Sequence, residues 1–153
     1  IHQTGSGKGT GYTVNIPIDR EFSDDDMLYL YQEVLTPLIT GYQPQLIMVA
    51  AGFDAHTGDP IGRSRLTHAF YGGITRLLMH LRKLSNHAPL FYALEGGYDQ
   101  RALADSIRAI LTELLGDLSP MPSIAAQPKA KDLLKQIKTI HSPYGFLGQG
   151  STL

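Results

Sequence analysis

The chain has 153 residues, 42% of them hydrophobic and 18% charged, with a formal net charge of −1. That is enough chain for one domain with a substantial core, and near-neutrality excludes attachment to nucleic acid or a membrane surface through bulk charge. The absence of cysteine excludes disulfides, thiolate metal ligands and a cysteine nucleophile; it fits a reducing compartment, with the cytoplasm as the expected location.

The opening Gly5-Ser6-Gly7-Lys8-Gly9-Thr10-Gly11 has the composition of a phosphate-cradling loop. It fails the pattern, because His2 stands where the first glycine should be and Gly9 follows the lysine. A turn leading into a strand at Tyr12–Ile16 is expected instead, since β-branched and aromatic residues there are closed by Pro17. Ser23 followed by Asp24, Asp25 and Asp26 marks a helix start, with a capping hydroxyl and carboxylates in the positive first turn. Met27, Leu30, Tyr31, Val34, Leu35 and Leu38 continue at helical spacing, and Pro37 is expected to kink or end that helix.

Leu46–Ala50 and Leu90–Leu94 are short continuous apolar runs, the pattern of strands buried on both faces of a parallel sheet. Between them a helix carries Leu66, Ala69, Phe70, Ile74, Leu77, Leu78 and Leu81 and ends near Asn86. After the second run a helix carries Leu103, Ile107, Ile110, Leu111 and Leu114. The alternation implies an α/β fold of parallel βαβ units. Residues 116–128 read as a connector, Lys131–Ile140 as an amphipathic helix, and Phe146–Leu153 as a loose tail. Three strands make a thin sheet where about 4 to 6 are usual, so a part of a larger fold is expected. No apolar run approaches the roughly 20 residues needed to span a bilayer, and there is no basic-then-apolar leader.

Ligands of open α/β sheets bind at the carboxyl ends of the strands, and two loops leave that edge. In Ala51-Gly52-Phe53-Asp54-Ala55-His56-Thr57-Gly58-Asp59-Pro60, Asp54 and His56 are spaced so that both could face one metal as hard oxygen and nitrogen donors. The alternative is that Asp54 caps a turn, His56 sits at the surface and Asp59-Pro60 starts a turn. In Glu95-Gly96-Gly97-Tyr98 the glycines allow positive φ or close ligand approach. The Tyr98 phenol could donate a hydrogen bond to a developing oxyanion, or its ring could simply pack under the loop.

Taken together, Gly-Phe-Asp-Ala-His-x-Gly-Asp-Pro and Glu-Gly-Gly-Tyr resemble the zinc-dependent histone deacetylase family, including its acetoin-utilisation and acetylpolyamine amidohydrolase relatives. Gly7-Lys8-Gly9-x-Gly11-Tyr12-x-Val14-Asn15-Ile16-Pro17 is similar to the glycine loop and strand of that family. Ile140-His141-Ser142-Pro143-Tyr144 is similar to its Ile-His-x-Pro-Tyr ending. The resemblance runs from about Gly5 to Tyr144 and implies a three-layer parallel-sheet arginase/deacetylase-like fold over residues 1–144, with a tail at 145–153. It implies that Asp54 is a zinc ligand and that Tyr98 polarises the acetyl carbonyl. Ile61, Gly96, Gly97 and Phe53 would belong to the substrate site, and Tyr12 to a peripheral monovalent-cation site that would take potassium. His56 does not fall on a family ligand.

The paired histidines and the Asp-x-His ligands of the family lie upstream of the region matched. The expectation is therefore a C-terminal portion of a deacetylase acting on an acetylated amine, inactive alone or completed by the missing half or by another copy of the chain. The other reading is a non-catalytic interaction module derived from the same fold. Neither membrane nor direct nucleic-acid partners are expected.

Overall fold

Ser23 starts the first helix, α1 (Asp24–Tyr42), through a reciprocal capping box with Asp26. The Asp26 amide donates to Ser23 Oγ at 3.2 Å, and the Ser23 amide donates back to the Asp26 carboxylate at 3.1 Å. In the computed structural model, which describes residues 1–62 and 64–145, there follow β1 (Ile47–Ala51), α2 (His68–Leu81), β2 (Leu90–Leu94), α3 (Gln100–Leu115) and α4 (Pro128–His141). Short 3₁₀ turns occupy Gly7–Gly9, Arg82–Leu84 and Ser142–Tyr144. The expected tail from Phe146 onward lies outside the described residues.

β1 and β2 are parallel, with Ile47 opposite Leu90 and Ala51 opposite Leu94. Ile47, Val49, Leu90 and Tyr92 pack toward the buried Ile39 of α1 and Leu77, Leu78 and Leu81 of α2. A second core joins α1, α2, α3 and α4 through Leu30, Val34, Phe70, Tyr71, Ile110, Leu134 and Ile137. No helix among the described residues is long and apolar enough to cross a membrane.

Three sequence expectations are corrected. The segment Tyr12–Ile16 is not a strand. Among the described residues no strand lies beside it, and it has instead a few contacts with the opening residues, such as Asn15 Nδ2 donating to the Gln3 carbonyl at 2.7 Å. Its apolar side chains Val14 and Ile16 still pack on the core. Pro37 neither ends nor breaks α1. It removes one i→i−4 bond, but the buried Val34 and Ile39 hold the helix on both sides of it. Finally, β1 and β2 are buried on one face only: Met48 and Phe91, directly paired, are 68% and 52% exposed. Two strands carry helices on one side, and the continuous apolar pattern reports a cover that the described residues do not supply.

Asp26 and Glu113 are two of the carboxylates that link stability to pH. Asp26 is fully buried. Burial alone would raise its pKa, but hydrogen bonds from the Gln127 and Ser23 amides and the Ser23 hydroxyl, with the Lys129 charge, outweigh burial and hold the carboxyl below its ordinary value. The Arg76 guanidinium, bonded to Glu113 across α2 and α3 at 2.9 Å from Nε, likewise depresses Glu113. A depressed carboxyl contributes stability above its unfolded value and loses it as pH falls through the folded value. Denaturant titrations between pH 6 and pH 2 should therefore show stability declining below about pH 4, with a shallower decline in Asp26→Asn. An equally steep decline in that variant would remove Asp26 from the linkage.

Candidate functional site

The ladder between β1 and β2 continues past their ends. The Glu95 amide donates to the Ala51 carbonyl at 3.0 Å, and the Phe53 amide to the Gly96 carbonyl at 2.8 Å. The two loops thus leave the sheet side by side at its carboxyl edge. Phe53 is buried, with its ring 4.9 Å from that of Tyr71, and forms a floor beneath the loops. Above this floor Gly97 adopts φ +132, a conformation that side chains avoid, and a Cβ there would press on the Cβ of Phe53 at 2.9 Å.

Asp54 and Tyr98 converge over Gly96. A methyl group placed on Gly96 would sit 3.1 Å from Asp54 Oδ2 and 3.6 Å from Tyr98 Oη, so only a glycine leaves the space between carboxylate and phenol open. The Asp54 carboxylate is half-buried and has no hydrogen-bond or ion-pair partner among the described residues. Tyr98 is 59% exposed, and its hydroxyl is likewise unbonded among them, so the alternative of a packing aromatic under the loop does not describe its position. Ile61, also exposed, follows in the same loop as Asp54.

Tyr71 lies close enough to sense the Asp54 charge. Burial first, and then Asp54, push its phenol well above the ordinary tyrosine value. Its hydroxyl is buried without a partner among the described residues. His56 is engaged locally: Nδ1 accepts the Gly58 amide at 3.0 Å, and the ring stacks on His68 at 6.5 Å between centroids. Tyr12 sits elsewhere in the chain's opening loop, exposed and edge-on to Tyr42 at 6.3 Å.

Asp59, which sequence reading treats as a turn start, is 5% exposed. Oδ1 accepts the amides of Ile61 at 2.8 Å and Gly62 at 3.0 Å, and Oδ2 accepts the amide of Tyr98 at 2.7 Å. Burial would raise its pKa, but the amides of Tyr98, Gly62, Ile61 and Asp99 outweigh burial and lower it. The local half of this pattern was available as an Asx turn, in which an aspartate bonds amides two and three residues on. The reach to Tyr98 had no sequence signal.

Among the described residues no three histidine, aspartate or glutamate side chains gather closely enough to hold a metal. The unpartnered Asp54 carboxylate suits one coordination position of a hard or borderline cation such as zinc; the remaining positions have no donors here.

The parallel sheet with a carboxylate and a phenol gathered at its carboxyl edge is consistent with the arginase/deacetylase class of α/β folds, and the class is shown by solved deacetylase structures. The structure of the histone deacetylase Clr3 superposes with a TM-score of 0.84 at 33% identity, covering 97% of this chain and 25% of that one. Residues 1–114 match the histone deacetylase domain family. Histone deacetylase clr3 of Schizosaccharomyces pombe is 36% identical over 143 residues, 92% of this chain and 20% of its own length. Polyamine deacetylase HDAC10 of Danio rerio is 32% identical over 145 residues, 92% of this chain and 21% of its own. The chain belongs to the histone deacetylase domain family, and it spans about a fifth of the length of these two relatives.

Proposed function

We propose that this chain contributes one metal ligand and the oxyanion donor to a zinc-dependent deacetylase that hydrolyses an acetylated amine. The observation that carries this reading is the convergence of Asp54 and Tyr98 over Gly96. Asp54 would hold the zinc at one position, and the chemistry zinc supplies when bound is Lewis acidity toward a carbonyl and a water molecule. The Tyr98 phenol donates a hydrogen bond to the acyl oxygen, and that bond strengthens as the oxygen becomes an oxyanion. Gly96 and Gly97 leave room for a thin aliphatic stem, Ile61 supplies an apolar wall, and Phe53 supports the floor. The remaining ligands and the histidine that takes the proton from water come from polypeptide outside this chain, or from a second copy. Tyr12 is assigned to a monovalent-cation site that takes potassium, and the protein to the cytoplasm. Histones and polyamines, the substrates in the relatives' names, present the same acyl-amine stem when acetylated.

Calorimetry of the 153-residue chain with zinc should give weak binding or none, because one carboxylate cannot replace three ligands. Deacetylation of an acetyl-lysine peptide or an acetylated polyamine should appear when the segment bearing the paired histidines and Asp-x-His is joined to this chain, and should vanish with a chelator. Tight stoichiometric binding by the chain alone, abolished by Asp54→Ala, would overturn the ligand count. A complete polypeptide that binds zinc yet leaves both substrates intact would overturn the function.

A further inference from the structure

Tyr98 follows two glycines and is itself largely exposed, so neither its own packing nor the backbone before it fixes where the phenol points. Its amide, however, is bonded to a carboxylate 39 positions earlier in the chain. We propose that Asp59 is a positioning residue: its single carboxylate clamps the Asp54 loop to the Tyr98 loop and keeps the phenol aimed at the space over Gly96 that it shares with Asp54. This rests on the role given to Tyr98 above.

The two oxygens divide the work by loop. Oδ1 closes the turn that follows Asp59 by accepting the Ile61 and Gly62 amides, and Oδ2 takes the Tyr98 amide. The Asp59 amide in turn donates to the His56 carbonyl at 2.9 Å, so the carboxylate is anchored within the Asp54 loop before it reaches across. Hydrogen bonds to an ionised acceptor are shorter and roughly twice as strong as neutral ones, and the depressed pKa keeps Asp59 ionised in the physiological range. Nearer the sheet, the hydrogen bonds between the two loops among the described residues run between main-chain groups. Asp59 adds the tie at the level of Tyr98 itself. A displacement of about 1 Å in a positioned group can cost on the order of a hundredfold in rate.

Asp59→Asn tests this with almost no change of volume, because one acceptor oxygen becomes an NH₂ group that opposes an amide donor. In a zinc-loaded deacetylase containing this chain, kcat should fall about tenfold or more with KM and zinc affinity little changed. In a Tyr98→Phe background the same substitution should add little, since residues acting through one group are not additive. Additive losses, or an unchanged kcat, would overturn the proposal. A loss that merely tracks melting temperature would also overturn it. If the unsubstituted enzyme is inactive, the functional reading fails by itself, and the clamp is read separately. In the 153-residue chain at fixed pH, Asp59→Asn should accelerate hydrogen exchange at the Tyr98 amide together with Ile61 and Gly62, and unchanged exchange at Tyr98 removes the clamp. Should the variant not fold, acid titration of the wild-type protein by NMR replaces it. The Ile61, Gly62 and Tyr98 amide protons should then shift with one midpoint below the ordinary aspartate value, and independent movement of Tyr98 overturns the clamp.

Discussion

Replacing Tyr98 with phenylalanine in a zinc-loaded deacetylase containing this chain is expected to lower kcat on the order of a hundredfold or more while leaving the melting temperature unchanged. The two halves of this expectation come from different observations. Stability should not respond because the ring is 59% exposed and the hydroxyl has no hydrogen bond among the described residues for its removal to break. Turnover should respond because the hydroxyl points into the space over Gly96 where Asp54 also points. A hydrogen bond that strengthens only as the oxyanion forms affects kcat more than KM. Deacetylation kinetics beside a thermal melt decide the matter. Unchanged turnover at unchanged stability would take Tyr98 out of the chemistry.

The largest structural effect is expected from Gly62→Ala. A side chain at this position would run into the carbonyl oxygen of Asp54, with the carbonyl carbon just behind it. Backbone cannot step aside as a flexible side chain does, and the arm of the turn that carries Gly62 is pinned: Asp59 Oδ1 holds the Gly62 amide at 3.0 Å and the Ile61 amide at 2.8 Å. Forcing an extra carbon into a filled space typically costs about 1–3 kcal/mol. At this chain length each kcal/mol lowers the melting temperature by about 2–4 °C. Gly58→Ala is the control within the same loop, because a Cβ there meets the His56 ring at 3.4 Å and Ala102 at 3.8 Å, both ordinary contacts. If the two variants melt together, the Asp54 turn yields more readily than its hydrogen bonds imply.

What the sequence made legible was whatever depends on neighbours along the chain. Ser23 and the three aspartates placed the start of α1, and the apolar runs placed β1 and β2. The α/β class follows from their alternation, and the deacetylase motifs pointed to the family that the comparisons show. What failed depended on partners distant in sequence. The pattern at Tyr12–Ile16 has the composition of a strand, but a strand exists only when another lies beside it. Met48 and Phe91 promised burial because apolar residues describe a preference and carry no information about which segment satisfies it. Asp59 shows the same division: the turn start read from the sequence is present in its short-range bonds to the Ile61 and Gly62 amides, while its bond to Tyr98 spans 39 positions and left no local signal. The pairing of Asp54 with His56 was a spacing argument; in the structure His56 Nδ1 accepts the Gly58 amide, and Nε2 is buried without a partner among the described residues.

The same contrast governs the order in which the chain assembles. α4 is held to α1 by bonds that span about two-thirds of the chain: Gln127 to Asp26 across 101 positions, Lys138 to Glu33 at 2.9 Å across 105, and Lys129 to the Glu21 carbonyl across 108. Closing a loop of that length carries its entropy cost before any contact rewards it. The α2–α3 contact and the β1–β2 ladder close shorter loops. Late docking of α4 is therefore expected, onto a surface that the rest of the chain has already shaped, with Asp26, set at the first turn of α1, meeting its final partner last.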